Sequence, residues 1–240
     1  MKKALYMAII VVIIIAIIFT ALMLVLKYDE KGEKNMPFEI SKITIISTAD
    51  AEDIKDSKNL WNKSIDQNND IYIYIEKNKN YKKTETIDRI EINNFKITKA
   101  PTKGNITMYK PSNSKNAIFE DKDELKTEKI IFTGDQKTEI KDLKISNQGG
   151  VIAFRIANQG VGSFTSNDKK IDYKDLLKKI NSSYEELNAK VSFDLNIVLN
   201  KGKQFKSTIE LEIPEEKVIE EGTSSKEITD LNLVFKRIEN

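Results

Sequence analysis

The chain begins with an uninterrupted apolar run that constrains how everything after it can be organised. Ala4–Leu26 is about 23 residues long and carries no charged side chain, and about 20 apolar helical residues cross the ~30 Å hydrocarbon layer of a bilayer. Because a helix satisfies its own backbone groups in lipid, the many Ile and Val residues do not predict a strand here. The run predicts a transmembrane helix at 4–26, after a short tail at 1–3, with the lipid bilayer as its partner.

A cleaved signal peptide is the main alternative to a permanent anchor. Signal peptides have an apolar core of about 7–15 residues followed by a site of small residues. Here the small residue Ala21 is followed by Leu22 and further apolar residues, so we expect an uncleaved signal-anchor. Lys2 and Lys3 favour a cytoplasmic N-terminus, although lysines also occur in the segment 27–37. We therefore expect a single-pass cell-membrane protein with an extracytoplasmic C-terminal domain; a cytoplasmic domain is the alternative.

The residue types that the chain lacks exclude several kinds of chemistry. It contains neither cysteine nor histidine, which rules out disulfides, thiolate zinc sites, Ser-His-Asp triads and His-ligated metals. With 39 Lys and Arg against 37 Asp and Glu, the net charge is +2, too small for a strong field toward nucleic acid. No cofactor motif is recognisable, and we predict no cofactor, no metal and no nucleic-acid partner.

After a juxtamembrane linker at 27–37, the pattern divides into a first β-rich region at 38–100, a flexible connector at 101–126 and a second β-rich region at 127–240. Apolar residues recur at period two in several short segments bounded by polar or Gly-containing turns, which is typical of strands. The predicted strands are Phe38–Ser47, Asp70–Glu76, Ile87–Thr98, Asn105–Lys110, Glu128–Thr133, Gly150–Ala157 and Ile228–Ile238. The change of phase within Ile87–Thr98 predicts a β-bulge.

The clearest pattern lies between Lys190 and Ile213. Two alternating apolar runs are joined there by Asn200-Lys201-Gly202, which predicts a β-hairpin. A short helix is predicted near 172–181, where Asp172 can cap the first turn, and Glu52–Ile65 is predicted to be helical or looped. Together these elements predict a mainly β protein: an antiparallel β-sandwich-like region, as one unit or as two small sandwiches.

Two Gly-rich segments bracket the predicted strand at 150–157. One is Asn147–Gly150 and the other is Asn158–Gly162. They could rim a ligand site, but tight turns and a bulge use the same residues, and neither has the spacing of a phosphate-binding loop.

Arg155 lies within that strand and is the candidate ligand contact, since a guanidinium among small neighbours could bind a carboxylate bidentately. The alternatives are that it pairs with an acidic residue of an adjoining strand or lies along the surface.

No residue pattern predicts a catalytic site. The charged segment Glu120–Glu124 lacks the ligand spacing of a calcium loop, and no pair of carboxylates stands out. We therefore predict a non-enzymatic, membrane-anchored envelope protein with an extracytoplasmic β-rich binding or assembly module, and an envelope protein or polymer as its partner. The alternative is an anchored, carboxylate-dependent hydrolase acting on cell-wall polymer, which would need neither histidine nor cysteine.

Overall fold

A computed structural model describes residues 12–18, 20, 36–55, 60–112, 114, 117–120, 122–135, 139, 142–167 and 170–238. Residues 12–18 are helical and their aliphatic side chains are exposed. Among the described residues, no helix is both long enough and apolar enough to cross a membrane. Most of the predicted transmembrane helix at 4–26, and nearly all of the linker at 27–37, lie outside the described residues.

Ten strands form two antiparallel sheets in the described part of the chain. Sheet A has the order β4-β6-β2-β1-β9 and sheet B has the order β10-β8-β7-β3-β5. The strands are β1 Phe38–Lys55, β2 Trp61–Lys77, β3 Ile87–Lys99, β4 Asn105–Tyr109, β5 Ile130–Thr133, β6 Gly150–Ser166, β7 Ala189–Leu199, β8 Gln204–Ile213, β9 Thr223–Ile228 and β10 Lys236–Ile238. The protein is therefore mainly β and antiparallel, as predicted.

The two sheets share one large hydrophobic core, as in a β-sandwich. It contains Ile43 and Ile73 of sheet A and Leu195 and Ile197 of sheet B, all fully buried. Each sheet takes strands from both sides of the segment 101–126: β2 pairs with β6, and β3 pairs with β7. That segment itself contributes β4 to sheet A.

Several local predictions are confirmed. The hairpin between Lys190 and Ile213 forms from β7 and β8, and the β-bulge within β3 is seen as a register shift between Asn93 and Lys96. The short helix near 172–181 consists of a 3-10 turn, Tyr173–Asp175, followed by the α-helical turn Leu176–Lys179. The Asp172 side chain accepts a hydrogen bond from the backbone N–H of Lys174, as its capping role requires.

The prediction of a helix or loop at Glu52–Ile65 is wrong for 52–55 and 61–65, and residues 56–59 of that stretch lie outside the described residues. Residues up to Lys55 continue β1, and the chain re-enters sheet A at Trp61. The apolar period is interrupted here because Lys63, which is fully buried, takes a position that an apolar residue usually occupies. Two helical turns, Tyr184–Leu187 and Val218–Glu221, were also not predicted; a one-turn helix is too short to show a period.

A buried polar layer divides the interior of sheet A. Ser47, Gln67 and Asn69 face inward with no exposed surface. Below them lies the large core between the sheets, and above them a smaller cluster packs Ile65 and Val161 against Leu177 of the helical segment. The side chains of Gln67 and Asn69 are joined by two hydrogen bonds of 3.0 Å, and Ser47 Oγ donates to Asn69 Oδ1 at 2.9 Å. The layer is thus a connected network.

Candidate functional site

A cleft of about 520 Å³ opens at one side of the sandwich, where β3 of sheet B and β4 of sheet A diverge. Its apolar walls are Phe95 and Ile97 on β3, and Ile106 and Met108 on β4. Segment 126–128 closes one end as the chain crosses from sheet A to sheet B. Because Phe95 and Ile106 also pack against the large core, the cleft is a gap between the two sheets at their open side.

The cleft exists because β5 is short. Its four residues pair only with Arg89–Ile92 of β3, whereas β7 accompanies β3 on the other side as far as Lys99. From Asn93 to Lys99, no described residue pairs with β3 on the side of β5. A strand edge without a partner presents backbone donors and acceptors to any chain that approaches it.

The bulge at the start of this free edge is held by Asp194 of β7. Asn94 has a left-handed backbone, with φ of 53°, and its Nδ2 donates to Asp194 Oδ2 at 2.7 Å. Thr208 Oγ1 donates to the other carboxylate oxygen at 2.6 Å, and Lys206 Nζ lies 3.3 Å from Oδ2. Burial opposes ionisation of Asp194, but these hydrogen bonds outweigh it and lower the pKa of the carboxyl group.

The lowered pKa gives a pH-dependent prediction. A carboxyl group with a depressed folded-state pKa stabilises the fold above its unfolded pKa of about 3.9, and that contribution is lost as the pH falls through the folded value. Asp194→Asn should lower the free energy of unfolding by about 1–2 kcal/mol at pH 7, with a clearly smaller difference at pH 3. Urea unfolding of the full chain in detergent micelles measures both. Asp230→Asn, at an exposed position, is the control; equal losses at both pH values for Asp194→Asn would contradict the prediction.

The stretch of chain that contains the free edge of β3 and all of β4 is basic in an otherwise balanced chain. No acidic residue occurs between Glu91 and Glu120, and the lysines of this stretch are at positions 96, 99, 103, 110 and 115. Lys96 and Lys99 have no ion pair with a described carboxylate, although Lys99 donates to the side chain of Asn188. The acid-free stretch was visible in the sequence, and it is the signal that sequence analysis missed.

Other charges near the cleft are partly neutralised. Lys103 lies 2.8 Å from Glu186, and Lys126 lies 2.8 Å from Asp123. The hydrogen bond from Lys103 is the main reason that the pKa of Glu186 is lowered. Glu128 is the one carboxylate among the residues that line the cleft. The free positive charge is therefore concentrated on β3.

Arg155 lies away from this cleft, on the outer face of sheet A. Its Nε donates to Asp70 Oδ1 at 2.7 Å and its Nη2 to Oδ2 at 3.2 Å. Asp70 is its cross-strand neighbour on β2, and Phe119 lies over the guanidinium at 5.1 Å. This is the pairing with an acidic residue of an adjoining strand, one of the alternatives given in the sequence analysis. A ligand contact by Arg155 stays a prediction.

The two Gly-rich segments have different structures. Asn147–Gly150 is a turn into β6, in which Gly149 has a φ of 106° that strongly favours glycine. Asn158–Gly162 does not end the strand, as a turn would; β6 continues to Ser166, with a register shift opposite Ile65 and Gln67. There the backbone N–H of Gly160 donates to Asp66 Oδ1 at 2.7 Å.

A second cleft, of about 330 Å³, lies at the end of the long β1–β2 pair. It is lined by Asp50, Glu52 and Asp66, with Ala51 and Gln159, and Asp50 is directly opposite Asp66 across the two strands. Within the described residues, no group of three or more acidic side chains has the arrangement of a metal site.

The fold and the first cleft define a class: an antiparallel two-sheet protein with an open, basic strand edge beside an apolar gap. A scan against protein-family models found no match for the chain. Searches of curated proteins and of solved structures likewise found no match.

Proposed function

We propose that the protein is a non-enzymatic envelope protein, a membrane-tethered β-sandwich that binds a partner at the cleft between β3 and β4. Residues 4–26 form the anchor, the N-terminus is cytoplasmic and the sandwich is extracytoplasmic. The observation that carries the binding role is the open edge of β3 beside an apolar gap, because a sandwich without a partner usually covers such an edge.

The point at which the chain enters the sandwich supports this role. Phe38 is fully packed in the core and pairs with Lys77 at the end of β2. Met36, in the predicted linker at 27–37, is also buried in that core, so the sandwich begins within the last residues of the linker. Gln67 pairs with Asn158 of β6, which in turn pairs with Ile106 at the cleft. Gln67 lies ten positions along β2 from Lys77, or about 33 Å of strand. The cleft would thus lie well separated from the point at which the linker enters the sandwich, which would leave it accessible to a partner.

The anchor is tested by membrane retention. We expect the full chain to stay with membranes in alkaline carbonate, and protease added to intact cells to digest residues beyond Pro37. Ile13→Arg combined with Ile17→Arg should release the chain, because each charge at the centre of a spanning helix costs about 2.5–3.5 kcal/mol. Ile13→Leu with Ile17→Leu is the matched control. Extraction of the unaltered chain by carbonate would refute the anchor, and protection from protease would reverse the orientation.

The second cleft supports a second candidate function, an anchored hydrolase of cell-wall polymer. Asp50 and Asp66 are cross-strand neighbours, and directly opposed residues have Cβ atoms about 4.5–5.5 Å apart, which suits a pair of catalytic carboxylates. Release of reducing ends from purified wall polymer, abolished by Asp66→Asn, would favour this function. We expect no release from the unaltered chain.

A further inference from the structure

The free edge of β3 has room for one additional strand. On that side the last pair is Ile92 with Ile130, the first residue of β5, and Asn93–Lys99 continues without a described partner. A chain added in line with β5 would extend sheet B along these seven residues, about 23 Å at the usual rise of a strand. Recognition by strand addition uses such an edge, with backbone hydrogen bonds for affinity and side-chain pockets for specificity.

The gap between the sheets determines what the inward side chains of that strand should be. Ile97 is 43% exposed on β3, and Ile106 on β4 is partly buried against the core. Alternate residues of an added strand would point between them. Apolar side chains there would cover Ile97 and complete the core at its open side, so the inward positions should be aliphatic.

The charge of the edge determines what the outward side chains should be. Lys96 and Lys99 lie on the free segment, and no described carboxylate pairs with either of them. Opposite charges on neighbouring strands stabilise a sheet, whereas like charges destabilise it. A strand with acidic side chains at its outward positions would therefore be preferred over a basic one.

We propose that Asn93–Lys99 binds an extended acidic segment of another polypeptide, with alternating aliphatic and acidic residues, as an added strand of sheet B. This inference rests on the proposed binding function and specifies its partner. A polypeptide fits better than an anionic wall polymer, because a polymer would meet the lysines but would leave the backbone edge and the apolar gap without partners.

The test uses the full chain in nanodiscs of zwitterionic lipid and a fluorescent probe, acetyl-Glu-Val-Glu-Val-Glu-Val-Glu-amide. Fluorescence anisotropy measures its binding. Three competitors are compared: the same probe without the label, a Lys-Val peptide of the same length, and a peptide of glutamate alone. We expect the unlabelled Glu-Val peptide to compete at least about tenfold better than the other two, because only it has both the charge and the aliphatic side chains.

Matched variants locate the binding site. Ile97→Asn should weaken binding at least about tenfold, whereas Ile131→Asn, at a similarly exposed isoleucine of β5, should not change it. Lys96→Glu with Lys99→Glu should weaken binding to a similar extent. Lys79→Glu with Lys217→Glu, at exposed positions elsewhere, controls for the change in net charge.

Amide hydrogen exchange distinguishes strand addition from contact through side chains alone. The bound probe should slow exchange within residues 93–99, because the backbone N–H groups at the free edge of β3 gain hydrogen-bond partners. The inference is overturned by unchanged exchange there, by equal competition from the glutamate peptide, which would indicate a surface for anionic polymers, or by no binding at millimolar probe. Those results leave the anchor intact, whereas release of the chain by carbonate would refute the tethered role whatever the probe does.

Discussion

Phe193→Ala should lower the free energy of unfolding by about 3–5 kcal/mol, the usual cost of truncating a buried phenylalanine. Phe193 lies on β7 of sheet B with no exposed surface. Its ring meets that of Phe154 on β6 of sheet A edge to face, with the ring centres 5.2 Å apart and the planes at 84°. This contact joins the two sheets directly, so the substitution tests whether they form one cooperative unit.

Chemical unfolding of the full chain in detergent micelles measures this loss. Tyr173→Ala is the control, since Tyr173 is 54% exposed and its removal should change stability by no more than about 0.5 kcal/mol. A double-mutant cycle of Phe154→Leu and Phe193→Leu should give a coupling energy of about 0.5–1.5 kcal/mol. No coupling, or a loss below 1 kcal/mol for Phe193→Ala, would mean that the sheets do not pack as described.

The hairpin of β7 and β8 could be predicted because both of its signals are local. From Val191 to Leu199 every second residue is apolar and fully buried, and a Gly-containing turn joins the two strands. Each strand has one face toward the core, so apolar residues recur at every second position without interruption. The same logic correctly gave β3 and its bulge, where the apolar phase changes.

The middle of β2 could not be predicted in this way. Gln67 and Asn69 occupy inward positions, where period analysis expects apolar residues. They are tolerated because their partners come from β1 and β6: Ser47 Oγ donates to Asn69 Oδ1, and Asn69 Nδ2 donates to the carbonyl of Ile156 at 3.1 Å. A hydrogen bond between residues 87 positions apart cannot be detected from the residues near either partner, so the sequence pattern predicts this strand only from Asp70 onward.

The candidate cleft could not be predicted from the sequence either, and the reason is topological. Its walls, β3 and β4, are consecutive in the chain, yet they belong to different sheets. The free edge of β3 depends on where β5 stops, which is a matter of register between segments far apart in sequence. The lysines and the missing acidic residues between Glu91 and Glu120 could have marked this surface as basic, although not as a strand edge.

Asn69→Ala should lower the free energy of unfolding by about 3 kcal/mol, because each buried polar group left without a partner costs about 1–3 kcal/mol. The substitution removes the acceptor of Ser47 Oγ and the donor to Gln67 Oε1, whereas Gln67 Nε2 keeps its bond to the carbonyl of Asn68. Ser47 Oγ also accepts the backbone N–H of Glu215 at 2.9 Å, so the segment that follows β8 should loosen as well. Asn62→Ala, at an exposed position of β2, is the matched control in the same unfolding experiment.

Replacing the whole layer separates a network from a sum of independent contacts. The triple variant combines Ser47→Ala, Gln67→Leu and Asn69→Leu. It removes the donors and the acceptors of the layer together, so few buried side-chain groups are left without a hydrogen-bond partner. The triple variant should therefore lose less stability than the three single losses added. Some loss remains, because the backbone groups of Glu215 and Ile156 still lose their bonds. Strict additivity would show that the three side chains act separately and do not form a cooperative network.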